Sequence, residues 1–267
     1  MAGGSARPVR PDVGSSLIGV QGTLNRLLTA SAILLLAAGP GLPADALWDS
    51  AVRLFARDRA LYATRIWTDV SEYDGRGNRR VTRQTEIEVR TDARGVAQSR
   101  LLWVRENGHD LAITDAVSSA SEAVTPDSAD PSREGQAAAM AVLELSPFDP
   151  ELQSQIELLR VNRNAAPRAE YRYTLQHDQL SVHGTAWLDA GDGTPVRLMA
   201  TVEPLPRFVR QLTVEQHFTR SSLGWHTSRV NISAEGGFLF VRRRIEITMQ
   251  FLDHAVSRQQ ADSGARP

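Results

Sequence analysis

The alternation of apolar and polar residues predicts one helix followed by a series of antiparallel strands. Residues 47–61 place their apolar side chains on one broad face and their charges on the other, which indicates an amphipathic helix. Residues 62–70 and 81–89 then alternate with a period of two, and a third such run passes through Trp103 and Val104. The segments DGRGN and ENGHD separate or close these runs, and Asp-Gly and Asn-Gly pairs favour tight hairpins. This part of the chain therefore predicts an antiparallel meander.

The middle of the chain predicts a loop and a helical insertion. Residues 116–136 hold two prolines, many serines and alanines and almost no bulky side chains, which predicts a flexible loop. Residues 137–160 follow helical spacing, interrupted by SPFDPE, in which Asp149 suits the N-cap of a second helix. Three apolar residues at spacings of four and three support that second helix: Leu152, Ile156 and Leu159.

From residue 169 the two-residue period returns in a longer series. Six strands are predicted, over residues 170–177, 180–189, 195–203, 207–219, 224–234 and 238–253. The short segments between them, such as HDQ, DAGDG and AEGG, have turn chemistry. Residues 255–267 are polar at their end and predict a disordered tail. We therefore expect an α+β fold in one domain, residues 47–254, built on an antiparallel sheet that buries one apolar face.

The first 46 residues have the three parts of a secretory signal peptide. A basic lead is followed by the uncharged run LLTASAILLLAA, then by helix breakers and the triplet Ala44-Asp45-Ala46. The run is shorter than the roughly 20 apolar residues that span a bilayer, although an uncleaved anchor is the alternative. We predict cleavage after Ala46, with Ala44 and Ala46 as the small residues of the site, and export to the periplasm of a Gram-negative bacterium.

Composition narrows the classes of partner. The 30 basic and 31 acidic residues nearly cancel, which argues against nucleic acid as the main partner. The chain has no cysteine, so it forms no disulfide and cannot carry the lipid that anchors a lipoprotein through an N-terminal cysteine. These features fit an exported protein that is not lipid-anchored.

The sequence offers no clear catalytic, metal or cofactor motif. DAGDG could be a metal loop, an acid pair or a turn; only Asp189 and Asp192 would be ligands, so a hairpin turn is favoured, with Gly191 and Gly193 at positive φ. The six histidines show no metal-binding spacing. An enzyme would require distant residues to converge, for example Glu215, His217 and His226. We expect no catalytic residue, no metal and no cofactor.

The triplet Arg242-Arg243-Arg244 interrupts the last predicted strand. Alternation puts Arg242 and Arg244 on the polar face and Arg243 among apolar neighbours. A buried guanidinium needs partners, so Arg243 either forms an ion pair, marks a change of register, or faces a cavity where it meets a polar ligand group. The sequence leaves these alternatives open.

The motif G-T-A-W-L-D-x(5)-P-V-R-L at residues 184–198, within this order of elements, resembles the periplasmic lipoprotein carrier superfamily, the LolA/LolB-type lipoprotein-sorting proteins. The resemblance implies a strongly curved antiparallel sheet, an open half-barrel, with an N-terminal helix and a helical lid that together enclose lipid acyl chains. The match is closer to uncharacterised secreted relatives than to the carrier itself. The chain departs from the family in its loop at residues 116–136.

The leading hypothesis is a monomeric, non-enzymatic periplasmic carrier of an acyl chain, a lipoprotein or another apolar ligand. The candidate ligand-binding residues share one face of the last strand: Val241, Arg243, Ile245, Ile247, Met249 and Phe251. The alternative is an envelope protein-interaction or sensor module with a filled core, which would use sheet edges or the loop to contact a partner. Whether the aromatic residues Trp67, Trp103, Trp187, Phe240 and Phe251 line a cavity or fill a core is open from spacing alone.

Overall fold

The computed structural model describes residues 45–91, 97–113, 131–162, 167–238 and 241–257. The helices are α1 (Ala46–Asp58), α2 (Pro131–Glu144) and a 3-10 helix (Pro150–Gln155). The strands are β1 (Leu61–Asp74), β2 (Arg79–Thr91), β3 (Ala97–Glu106), β4 (His109–Asp110), β5 (Ile156–Asn162), β6 (Arg168–His177), β7 (Leu180–Asp189), β8 (Pro195–Glu203), β9 (Val209–Ser221), β10 (Gly224–Phe238) and β11 (Val241–Val256).

All eleven strands form one open antiparallel sheet in the order β4-β3-β2-β1-β11-β10-β9-β8-β7-β6-β5. Two meanders, β1 to β4 and β5 to β11, are joined where the first strand pairs with the last. The chain between β4 and β5 therefore passes from one edge of the sheet to the other, and it contains α2. The prediction of an antiparallel sheet with few helices is confirmed, although sheet dominates the fold more than the α+β label suggests.

The two faces of the sheet differ in chemistry. We call the face against which α1 and α2 pack the inner face and the opposite one the outer face. The inner face carries the core, for example Leu198, Val214 and Ile232, which all lie below 4 % exposure. The outer face carries polar neighbours such as Glu215 and Asn231, whose side chains contact each other across β9 and β10. This is the two-residue alternation that the sequence predicts for a sheet with one buried face.

The core is filled by aromatic rings where the helices cover the sheet. Trp48 of α1 lies 5.1 Å from Phe148 and 5.5 Å from Tyr171, measured between ring centroids. Phe218 and Trp225 stack with centroids 4.5 Å apart, and Phe148 meets both edge-on. The indole N–H of Trp225 donates to the Pro195 carbonyl at 2.9 Å, which satisfies its buried polar group.

Helix α1 is fixed at both ends by aspartates. Asp45 is its N-cap: its carboxylate accepts hydrogen bonds from the Leu47 amide (3.1 Å) and the Tyr171 hydroxyl (2.7 Å) and lies 3.2 Å from Nη1 of Arg160. At the other end, the carboxylate of Asp58 accepts from the Trp225 amide at 2.8 Å. The helix is thereby tied to the second meander, on which Trp48 is buried.

The predicted second helix of the insertion is wrong beyond Gln155. Only Pro150–Gln155 is helical, as a 3-10 helix with Asp149 as its N-cap, and strand β5 begins at Ile156. The spacing of Leu152, Ile156 and Leu159 matched a helix by coincidence, because the burial that decides the structure has a period of two. Ile156 and Leu158 pack on the core, whereas Leu159 is 62 % exposed.

Other predicted boundaries shift or fall outside the described residues. Helix α2 begins at Pro131, inside the predicted loop, and the rest of that loop lies outside the described residues. Strand β11 continues to Val256, and Ser257 is buried with its amide donating to the Ala60 carbonyl. The signal segment through Ala44 and the tail from residue 258 also lie outside the described residues, whereas Ala46 is the first residue of α1.

Two neighbouring tyrosines of β6 should respond oppositely to loss of their hydroxyl. Tyr173 is buried and its hydroxyl has no partner among the described residues, whereas that of Tyr171 donates to Asp45. Tyr173→Phe should leave the free energy of unfolding unchanged or raise it by about 1 kcal/mol, and Tyr171→Phe should lower it by about 1–3 kcal/mol. Urea unfolding of both variants measures this. Equal destabilisation by the two changes would contradict the assignment.

Candidate functional site

The inner face is covered over only part of its width. Helix α2 packs on β8, β9, β10 and β11, and α1 packs on β7, β10 and the 3-10 helix. Strands β1, β2 and β3 receive no comparable cover from a helix among the described residues. We call the inner face of β1, β2, β3 and β11 the wing, and it is the candidate functional site.

Aliphatic side chains line the wing in cross-strand rows. Val70 of β1 pairs with Ile247 of β11. Four residues earlier on β1, beyond Thr68, Ile66 lies between Phe251 and Ile87. Leu101 of β3 continues the row beside Ile87. Val70, Ile66, Ile87, Leu101 and Phe251 are all half-buried, although Val89 and Val104 in the same region are buried. The wing is thus an apolar surface that the described helices leave partly open to water.

The residues predicted to bind a ligand divide between core and wing. Ile247 is buried in the core, and Ile245, Met249 and Phe251 are half-buried against it. Arg243 is exposed, and the side chain of Val241 lies outside the described residues. Their role in binding stays a prediction, but β11 does run along the border between the covered sheet and the wing.

One end of the wing is polar. The guanidinium of Arg83 donates to the carboxylate of Glu106 across β2 and β3, with Nε 2.9 Å from Oε2. Glu72 on β1 faces Val81 and Ile245, and Arg243 lies two residues further along β11, opposite Asp74. Charged side chains therefore cluster at this end, and the remainder of the surface is lined mainly by aliphatic side chains, with Thr68 and Thr85 between them.

DAGDG is a turn that also supports α1. Asp189 and Asp192 each accept a hydrogen bond from the amide two residues later, at 2.8 Å. Gly193 has φ +77, and it lies so close to α1 that a Cβ on it would be 2.5 Å from the Leu47 carbonyl oxygen. Gly191 does not have a positive φ, so the prediction for that residue is wrong. Hydrogen bonds from Thr194 hold the pKa of Asp192 below its ordinary value. A general acid needs the opposite shift.

The residues proposed for an enzyme converge only in part. His217 Nε2 lies 3.0 Å from the Glu215 carboxylate on the outer face, where Arg197 also contacts that carboxylate. His226 instead lies against His254, with ring centroids 3.6 Å apart. Among the described residues there is no group of three or more metal-binding side chains.

Sequence reasoning did not place three tryptophans that lie on the outer face. Trp67, Trp103 and Trp187 have polar cross-strand neighbours, such as Glu86, which lies between the first two. The guanidinium carbon of Arg105 lies 4.9 Å from the Trp103 ring, and that of Arg197 lies 4.8 Å from the Trp187 ring. Each of these tryptophans lies an odd number of residues from a core residue of the same strand where the strand has no bulge. That spacing would have placed them on the outer face once the register was known.

No protein-family model and no curated protein matches the chain. Among solved structures, a DUF1329 family protein from Desulfovibrio piger is 12% identical, with a TM-score of 0.34 and coverage of 77% of this chain and 92% of that one. MucB in complex with MucA(peri) is 14% identical, with a TM-score of 0.21 and coverage of 79% and 98%. The di-domain ARO/CYC StfQ is 11% identical, with a TM-score of 0.19 and coverage of 76% and 81%. At such low TM-scores these likenesses carry no argument about this chain.

Within the described part of the chain, no helix combines the length and apolar character needed to cross a membrane.

The paired histidines should make stability depend on pH. Burial lowers the pKa of His226 below 6.5, and burial together with His226 lowers that of His254. The unfolded chain then binds more protons than the folded one, so stability is complete above about pH 6.5 and is lost as the pH falls through the folded pKa values. Urea unfolding at about pH 7.5 and about pH 5.5 measures the loss.

The matched variants for this test are His226→Gln with His254→Gln, and the exposed His109→Gln alone. The double variant should flatten the pH dependence, and His109→Gln should keep the slope of the unchanged protein. An unchanged slope in the double variant would contradict the assignment.

Proposed function

We propose that the chain is a non-enzymatic, monomeric binding protein of the bacterial periplasm that holds an acyl chain or another apolar ligand on the wing. The observation that supports this most directly is an inner face whose aliphatic rows continue past the helices that cover the core. Contiguous apolar surface that stays partly open to water is typical of ligand or partner sites. The basic lead and the short apolar run of the first 46 residues support export.

The wing suits an apolar ligand better than the space beneath the helices. Phe148 is fully buried between Trp48 and Trp225, and Ala139 and Val142 of α2 are buried too. A ligand there would have to displace well-packed rings, at a cost of several kcal/mol. An acyl chain on the wing would instead cover surface that is already half-exposed, which is favourable by roughly 25 cal/mol per Å² of apolar area removed from water.

A second candidate function is a protein-interaction module, and a different observation favours it. Strand β5 is one edge of the sheet, and it exposes Leu159 and Val161, which are 62 % and 43 % accessible. An open edge with apolar side chains can accept a strand from a partner protein. Crosslinking to an envelope protein, with no lipid uptake, would favour this reading over the carrier.

Two methionines allow a matched test of the wing. Met249 is half-buried on the inner face of β11, and Met199 is exposed on the outer face of β8. Met249→Gln should weaken binding of an uncharged fluorescent acyl probe about fivefold, from the loss of about 1 kcal/mol of apolar burial. Met199→Gln should leave it unchanged. Titration followed by fluorescence measures both, and the absence of saturable binding by the unchanged protein would remove the proposal.

A further inference from the structure

We propose that the ligand of the wing is an anionic amphiphile whose carboxylate or phosphate head group is bound by Arg243. This inference rests on the proposed function and specifies the chemical class of the ligand. Of the three consecutive arginines, Arg243 alone shares the parity of Ile245 and Ile247, so it belongs to the inner face. It lies at the polar end of the wing, where the aliphatic rows stop.

Neither cross-strand neighbour of Arg243 forms an ion pair with it. On one side lies Gly236, which has no side chain that could pair with Arg243. The space that a Cβ on Gly236 would take is filled by the Phe208 carbonyl oxygen, 2.3 Å from that position. On the other side lies Asp74, whose carboxylate accepts hydrogen bonds from the amides of Arg76 and Asn78, both at 2.9 Å. These bonds hold the pKa of Asp74 below its ordinary value. Both amide bonds end on Oδ1, whereas Oδ2 accepts from Nδ2 of Asn78 at 3.3 Å and lies 3.6 Å from Nε of Arg80.

Several of the other charges at this end have partners. Glu106 is engaged by Arg83, and Arg244, on the outer face, pairs with Glu246 and lies over the Tyr73 ring. Glu72 shares the inner face, yet no described carboxylate lies within ion-pair distance of Arg243. An exposed guanidinium beside an apolar surface can bind a carboxylate or phosphate with two parallel hydrogen bonds. An acyl chain with an anionic head matches both parts of the site.

Competition against an uncharged fluorescent acyl probe tests this at low ionic strength. Palmitate should displace the probe about tenfold better than its methyl ester, which has the same chain and no charge. Arg243→Gln should abolish that preference and keep binding of the ester. Arg242→Gln, an exposed neighbour on the outer face, should retain the preference. A lysophosphatidate arm distinguishes a phosphate from a carboxylate head group.

The outcomes separate the two proposals. Equal displacement by the acid and the ester in the unchanged protein overturns the role of Arg243 and leaves the proposed function intact. A preference that survives in Arg243→Gln, or that is lost equally in Arg242→Gln, overturns it as well. If the probe does not bind at all, the proposed function itself fails.

A second inference, from an independent observation, concerns processing: we infer that the N-terminal segment is removed by cutting the Ala44–Asp45 bond. Asp45 belongs to the fold, since it caps α1 and joins it to β5 through Arg160 and to β6 through Tyr171. Burial would raise the pKa of Asp45, but the hydrogen bonds from Tyr171 and Leu47 and the charge of Arg160 hold it below its ordinary value. A cut after Ala46 would delete this residue.

The bond is also suitable as a cleavage site. It follows Ala44, and alanine is among the small residues that signal cleavage favours. The nearest alanines further upstream, Ala37 and Ala38, end the apolar run itself. A cut after Ala44 places Leu42 where the A-x-A pattern has a small residue, so the argument for this bond comes from the N-cap role of Asp45 in the fold.

The intact mass of the full chain, recovered after export through its own leader, tests this inference. A mature chain that begins with Asp45 is the expected result. A chain that begins with Leu47, one that begins at any other residue, or an uncut chain would overturn it.

Discussion

The pairing of β1 with β11 is the constraint on which the rest of the structure depends. These strands are separated by most of the chain, and their register runs without a slip from Leu61 opposite Val256 to Asp74 opposite Arg243. Without this pairing the two meanders would be separate sheets with four edges. A shift by one residue would turn every inner side chain of β1 outward, so the apolar row through Val70 and Ile247 fixes the register. The wing exists because this pairing extends the inner face beyond the helices.

The asymmetry between the covered sheet and the wing follows from where the aromatic residues lie. Helix α1 contributes Trp48, which meets Tyr171 and Tyr173 of the second meander. The segment before the 3-10 helix contributes Phe148, which meets Trp48 and Trp225. Gln153 supports this arrangement by accepting from the Trp48 indole and donating to the carbonyls of Pro147 and Asp149. The inner face of the first meander carries aliphatic side chains of moderate size, threonines such as Thr68 and Thr85, and the charged Glu72, Arg83 and Glu106. Among the described residues, no comparable ring cluster holds a helix there.

Local pattern predicted most strands and turns but not the contacts between distant segments. The strand 180–189 and the turn DAGDG followed from alternation and turn chemistry, because each depends on neighbouring residues only. Residues 156–160 were assigned to a helix, because their spacing fits both periods and only the pairing with β6 decides between them. The wing, the contact between His226 and His254, and the outward position of Trp67 depend on a register between distant strands. No local pattern encodes that register.

The packing of Phe148 separates two ways in which a ligand could exchange, beneath the helices or on the wing. Withdrawing Phe148 would leave a hole like that of a truncated buried phenylalanine, at a cost of about 3–5 kcal/mol. The state with Phe148 withdrawn would then be populated in roughly one molecule in a thousand. A ligand on the wing needs no such opening, but it keeps one side in water and gains only part of the free energy of full burial. Binding on the wing would therefore be weak and rapidly reversible, which suits transfer between partners better than storage, and a charged head group bound by Arg243 would add about 1.4 kcal/mol, the equivalent of the tenfold preference expected for an anionic ligand.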